Sequence, residues 1–179
     1  MPEPYNASAA TAAAIAGDPA LVLGVDPSPG MIAEAARQVP DVRLARGTAE
    51  QLPVADASVD FLSMGYALRH VSDLAVTFRE FRRALRPGGR VCVLEITRPD
   101  GRLRLAALRL YMRWVVPALT RLAARHAHSH RLWAYYWDTI EQCVAPEQIL
   151  RAMRDAGFDD VRRHVEMGIF SEYTGVARG

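Results

Sequence analysis

Gly24 to Met31 (GVDPSPGM) packs an apolar strand end, an acid and the opening of a helix into one short stretch. Val22 to Val25 reads as a short buried strand. Asp26 then lies at its carboxyl end, where a carboxylate can accept hydrogen bonds from both hydroxyls of a ribose. Ser28 can cap the following helix and Pro29 suits its first position. Met31, Ile32, Ala35 and Ala36 give it an apolar face through Val39. Strand, acid and helix in direct succession point to an α/β chain that binds a nucleotide outside the carboxyl ends of its strands.

The rest of the chain continues that alternation. The patterning predicts helix 7–16, strand 20–26, helix 29–38, strand 42–46, strand 58–65, helix 72–86 and strand 90–96, hence a mostly parallel sheet. Leu74, Phe78, Phe81 and Leu85 recur at helical spacing, and Pro87, Gly88 and Gly89 are read as the stop. Helical stretches follow at 102–125, broken at Pro117, at 129–143, and at 146–156. Two β-like runs, Val161 to Val165 and Ile169 to Val176, flank Gly168 with no room for a helix between them, so they should pair antiparallel.

Such a nucleotide site usually has glycines between its first strand and first helix, so that backbone amides reach the ligand. Before Asp26 there are only Gly17 and Gly24. Ala7 to Ala16 looks like the helix after such a loop, yet Met1 to Asn6, with two prolines, cannot supply the strand and turn before it. The reading is a single domain over 1–179 that lacks its first strand and glycine loop. A truncated reading frame, a degenerate copy and a genuinely shortened protein all remain open.

Composition bounds the partners. Half the residues are apolar, enough for one sizeable core. Cys92 and Cys143 have no metal-ligand spacing, and His126, His128 and His130 are spaced by two, which suits no common zinc motif, so no metal is expected. The absence of a charged leader or a long apolar run leads us to expect a cytoplasmic protein. All 22 basic residues are arginine, and seven of them, with no acid, fall in 101–137. That segment fits either a solvated helix face or contact with anionic lipid headgroups or an acidic partner. No nucleic-acid motif accompanies the charge.

Five segments in order, GVDPSPGM, GTAEQLP (Gly47 to Pro53), SVDFLSMGYALRHVSD (Ser58 to Asp73), EFRRALRPGGRVCVLEITRP (Glu80 to Pro99) and AMRDAGFDDV (Ala152 to Val161), carry a resemblance. The chain resembles class I S-adenosylmethionine (SAM)-dependent methyltransferases, most closely the ubiquinone/menaquinone C-methyltransferases of the UbiE type. The resemblance implies a Rossmann-like class I methyltransferase sheet, with 101–137 as a helical substrate-covering insertion. SAM is the implied cofactor and a demethylated quinol or related phenol the implied methyl acceptor. It also allows peripheral membrane contact through 101–137 and leaves oligomer formation open.

Residue by residue, the resemblance implies that Asp26 holds the ribose, that Thr48 and Ala49 face the adenine, and that Gly65 approaches the methionine end of SAM. Position 48 is often Asp or Asn in the family, so Thr48 offers a weaker acceptor. Arg69 and His70, where the family usually has Arg then Asn, are the candidate catalytic residues. C-methylation of a quinol removes a phenolic proton so that ring carbon can attack the methyl in line. Histidine suits the base and arginine can stabilise the phenolate. Competing readings are a small-molecule O- or N-methyltransferase and a non-catalytic remnant acting through a partner.

Overall fold

The computed structural model describes residues 17–97, 101, 110 and 144–179. The helices expected at 7–16 and 129–143 lie outside these residues, as does 102–125 apart from Leu110.

Strand β1 (Leu23–Asp26) pairs in parallel with β2 (Arg43–Arg46), Asp26 standing opposite Arg46. The strand expected from residue 20 begins three residues later. Asp18 accepts the Ala20 N–H at 2.9 Å and caps a 3-10 turn over Pro19–Leu21, which takes those residues out of extended geometry. Helix α1 (Pro29–Gln38) has the expected bounds, with Ser28 Oγ accepting the Met31 N–H at 3.4 Å and Pro29 in its first turn. It packs on β1 and β2.

Strand β3 (Val59–Gly65) leads through a short turn to α2 (Leu74–Ala84), which runs directly into β4 (Leu85–Ile96). Asp73 caps α2 by accepting from the amides of Ala75 and Val76 at 2.7 and 3.0 Å. The predicted helix end at Pro87 to Gly89 is corrected: α2 stops at Ala84, and Leu85 is already extended and paired with Val59. Arg86 precedes a proline and is disfavoured in helical geometry, so the helix gives way before it. The register jumps from Val59–Leu85 to Phe61–Arg90, which makes Arg86 to Gly89 a bulge within β4.

Helix α3 (Pro146–Asp155) precedes β5 (Phe158–Glu166) and β6 (Phe170–Ala177). The last two strands form the expected antiparallel hairpin, longer at its start than the sequence indicates. Met167 and Gly168 both have positive φ, 50° and 74°, and the Ile169 N–H closes the turn on the Glu166 carbonyl, a geometry that matches the right-handed twist of the strands.

The sheet has the order β3-β4-β6-β5, with β3 and β4 parallel and β6 antiparallel to its neighbours. One face carries the core. Val91 and Val93 of β4, Tyr173 of β6 and Phe158 of β5 pack under Phe78 and Phe81 of α2 and Ile149 and Met153 of α3, all essentially without solvent contact. Burying each such side chain contributes about 1.5–3 kcal/mol. Phe78 and Phe81 meet edge to face, centroids 5.8 Å apart. Among the described residues β1 pairs only with β2, and β3 only with β4, so the sheet is in two pieces with an unpaired edge on each. Loss of a central strand could also be met by direct pairing of β1 with β3, but these two strands do not pair.

Candidate active site

The residues singled out for cofactor binding all stand at carboxyl ends of parallel strands. Asp26 ends β1, Thr48 and Ala49 follow β2, and Gly65 ends β3. Asp26 Oδ1 accepts the Ser28 N–H at 2.7 Å, which orients the carboxylate at the start of α1. The Asp26 carbonyl accepts the Gly47 N–H at 3.3 Å, tying the end of β1 to the turn after β2. Thr48 and Gln51 exchange backbone hydrogen bonds across that turn at 3.3 and 3.2 Å. The Thr48 residue is exposed, whereas Ala49 packs on the edge of the core cluster.

Two acids that the sequence reading passed over fix this turn. Glu50 Oε1 accepts from the backbone N–H and the hydroxyl of Ser72 at 2.8 and 2.9 Å, and the backbone bond holds its carboxyl below the usual range. Glu80 of α2 accepts the Leu52 N–H at 2.7 Å and binds Arg83 through both carboxylate oxygens, at 2.7 and 2.8 Å. Arg83 in turn reaches the Val54 and Leu52 carbonyls and Asp56. The turn that would meet the adenine is therefore clamped on one side to α2 and on the other to Ser72, just before that helix. The available sequence signal was Glu80 and Arg83 at helical i,i+3 spacing, but nothing in it named the loop they grip.

After Gly65 the backbone turns sharply. Tyr66 has φ 54°, in the left-handed region that an aromatic residue rarely enters, and its N–H is fixed to the Leu94 carbonyl at 2.7 Å. A 3-10 turn over Leu68–His70 follows, with Leu68 fully buried. It separates the two candidate catalytic residues. His70 is exposed, whereas Arg69 turns inward and meets Glu95 of β4 at 3.3 Å, with 10% and 3% of the two side chains exposed.

Glu95 shares the helix-covered face of β4 with Val91, Val93 and Thr97. Burial pushes its carboxyl up, against the pull of the Ile96 amide and Arg69. Around it Thr97 and Ser171 share a hydrogen bond of 2.7 Å, and Arg163 donates to both, at 3.1 and 3.0 Å, while lying over the Tyr173 ring. Arg69 Nε, Glu95 Oε2 and the Tyr173 hydroxyl are buried without a hydrogen-bond partner. The sequence held one clue to Glu95: an acid in phase with two buried valines of an apolar strand.

A cleft of about 370 Å³ opens beside the ends of β3 and β4. Tyr66, Leu94 and Phe170 supply apolar wall, and His164, Glu166 and Glu172 supply polar rim. Leu94 and Glu172 are cross-strand partners, so this wall is the sheet face opposite Glu95. The structure thus brings Asp26 and the Thr48–Ala49 turn together, puts Gly65 at the carboxyl end of β3, and sets the Arg69 guanidinium with Glu95 rather than in the cleft wall. The three-histidine run and Cys143 lie outside the described residues. Among the described residues no cluster of His, Cys, Asp or Glu could hold a metal ion, and no helix is long and apolar enough to cross a membrane.

The donor set fits a nucleoside: an oriented carboxylate and an exposed hydroxyl lie beside a backbone turn with one apolar face. Solved structures share the fold. The chain overlays a SAM-dependent methyltransferase from Aquifex aeolicus with a TM-score of 0.59 at 15% identity, covering 87% of this chain and 68% of that one. It overlays the Haemonchus contortus phosphoethanolamine N-methyltransferase 2, solved in complex with S-adenosyl-L-methionine, with a TM-score of 0.64 at 16% identity, covering 94% and 46%. Among relatives in sequence, the demethylmenaquinone methyltransferase of Roseiflexus sp. (strain RS-1) is 33% identical over 89% of this chain and 67% of its own length. That of Chlorobaculum parvum is 33% identical over 84% and 60%. The ubiquinone/menaquinone biosynthesis C-methyltransferase UbiE of Rubrivivax gelatinosus is 37% identical over 84% and 59%. The chain therefore spans roughly three fifths to two thirds of the length of these relatives. The model of the ubiE/COQ5 methyltransferase family matches residues 8–177, and the chain belongs to that family of SAM-dependent class I methyltransferases.

Proposed function

We propose that this chain binds SAM across the carboxyl ends of β1, β2 and β3 and methylates a ring carbon of a demethylated quinol or a related phenol. What supports the reading is that Asp26, Thr48, Ala49 and Gly65 each stand at or just past the carboxyl end of a parallel strand, in a chain of this family. Asp26 holds the ribose hydroxyls, the Thr48–Ala49 turn meets the adenine, and Gly65 leaves room for the methionine end. The apolar wall of Tyr66, Leu94 and Phe170 takes the flat acceptor ring. SAM, when bound, supplies a sulfonium methyl open to in-line attack. His70, exposed at the lip of the β3 turn, takes the phenolic proton and so raises electron density on the attacking carbon. Arg69 supports this chemistry from the buried side.

Calorimetry tests the cofactor half. Weak SAM binding is expected, weakened at least about tenfold further by Asp26→Ala, since hydrogen bonds to a charged group contribute about 1.5–3 kcal/mol each. Tight binding indifferent to Asp26→Ala refutes the ribose assignment. Transfer of labelled methyl from SAM to a naphthalenediol, with the product's methyl located on carbon by NMR, tests the reaction. Methyl on oxygen, or transfer only to amines, supports the O- or N-methyltransferase reading instead. Among the described residues the edges of β1 and β3 are unpaired, which favours a second reading, a non-catalytic relative acting through a partner. Absence of both binding and transfer supports that reading.

The relatives named for menaquinone and ubiquinone biosynthesis make a membrane-held acceptor a natural extension. The arginine-rich stretch 101–137, which lies almost wholly outside the described residues, is the segment proposed to touch anionic membrane from the cytoplasmic side, each arginine adding about 1 kcal/mol near the surface. Salt-sensitive co-sedimentation with anionic vesicles, lost on charge reversal at Arg109 and Arg113, is the expected result. No binding at low salt removes the membrane role.

A further inference from the structure

The buried pair of Arg69 and Glu95 is poorly made as a stabilising contact. It has one hydrogen bond of 3.3 Å, while Arg69 Nε and Glu95 Oε2 stay buried without partners. Glu95 Oε1 also accepts the Ile96 N–H at 2.9 Å, but burying two charges for one long bond between them is a poor way to stabilise a fold, and apolar residues of similar volume usually do as well. What the pair does hold is the path of the chain. Tyr66 is in the left-handed region, and the 3-10 turn that begins two residues later, at Leu68, ends on His70. That turn closes on itself through two backbone bonds, His70 N–H to Ala67 and Val71 N–H to Leu68. Among the described residues the buried Leu68 and the Arg69–Glu95 pair anchor it, with Val71 packing on the edge of the core.

From this we infer that Glu95 is a positioning residue for the active site: through Arg69 it fixes the turn that sets Tyr66 in the wall of the acceptor cleft and presents His70 to solvent. Glu95 touches neither acceptor nor cofactor. Its carboxylate sits on the helix-covered face of β4, one residue before the end of the strand, and is flanked by the Thr97–Ser171–Arg163 network that pins the β5–β6 hairpin to the same corner. The anchor thus ties the turn after β3 to the end of β4, and β4 pairs in turn with β6, whose Phe170 lines the cleft. Directionality is the reason for a charged anchor here. An apolar contact would bury the same area yet leave the turn free to rotate, whereas a guanidinium on a fixed carboxylate is held in orientation. The inference rests on the reading of the cleft and His70 given above.

The double variant Arg69→Met/Glu95→Leu separates anchoring from stability, because it removes both charges together and leaves neither unpaired. Its urea midpoint and its SAM affinity are expected to match the wild type. The kcat for methyl transfer to a soluble 1,4-naphthalenediol should fall at least tenfold, and the Cε1–H NMR signal of His70 and the ring signals of Tyr66 should move or broaden. Should the double variant fail to fold, Arg69→Lys keeps a cation for Glu95 but loses the planar fork, and the same kcat and NMR changes are expected of it. Wild-type kcat with unmoved Tyr66 and His70 signals, in whichever variant folds, overturns the inference. If the wild type transfers no methyl group, the reading of the site fails instead, and the NMR comparison alone then decides whether Glu95 sets the turn.

Discussion

Replacing Glu80 by alanine strikes the clamp under the proposed adenine turn. The wild-type carboxylate accepts the Leu52 N–H at 2.7 Å and two bonds from Arg83, and its side chain is only 13% exposed. A hydrogen bond to a charged group contributes about 1.5–3 kcal/mol, so a simple sum would be large. It must be discounted. Arg83 is nearly a third exposed and keeps the Leu52 and Val54 carbonyls and Asp56, so most of the loss is the unsatisfied Leu52 amide and one Arg83 contact. The expected destabilisation is about 2 kcal/mol by urea unfolding at pH 7, with SAM affinity reduced because Leu52 directly follows the Thr48–Gln51 turn. Arg83 holds the Glu80 carboxyl below its ordinary 4.5 in the folded state. The advantage of wild type over Glu80→Ala is therefore full above that value and shrinks as pH falls through the lowered folded pKa. A difference under about 0.5 kcal/mol at pH 7, within the range of ordinary surface substitutions, would refute the clamp. So would an advantage that grows on acidification.

Glu95→Gln should show the opposite sign. Burial raises the Glu95 carboxyl above 4.5, so the stability of wild type relative to the variant is highest below that pH and falls as pH rises through the raised folded value, by at most about 1.4 kcal/mol per unit, as read from urea midpoints across pH. Gly47→Ala places a Cβ 2.9 Å from Pro53 Cδ and 3.0 Å from Val25 Cγ1. Overpacking of this kind costs about 1–3 kcal/mol, and the variant should lose both thermal stability and SAM binding; unchanged calorimetric binding would detach this turn from the site.

The order of elements was legible because it depends on neighbours along the chain. Ser28 and Pro29 open α1 where they stand, the apolar positions of α2 recur at 3.6 residues, and two strands joined by Met167–Gly168 can hardly do other than pair. The carboxyl-end positions of Asp26, Thr48, Ala49 and Gly65 follow from the same local logic, since each ends a strand or begins the turn after it. Sequence also placed Arg69 and His70 side by side, and there its reach stopped. A 3-10 turn sends adjacent side chains in different directions, so one residue lies in water while the other lies against a carboxylate 26 positions away. The Glu80–Arg83 grip on Leu52 and Val54, the start of β4 at Leu85 with its bulge over Arg86 to Gly89, and the burial of Glu95 likewise belong to the tertiary structure alone. Helix and strand periods are set by bonds within a few residues. Which charge is buried, and what it faces, is settled only when segments distant in sequence exclude water from the same space.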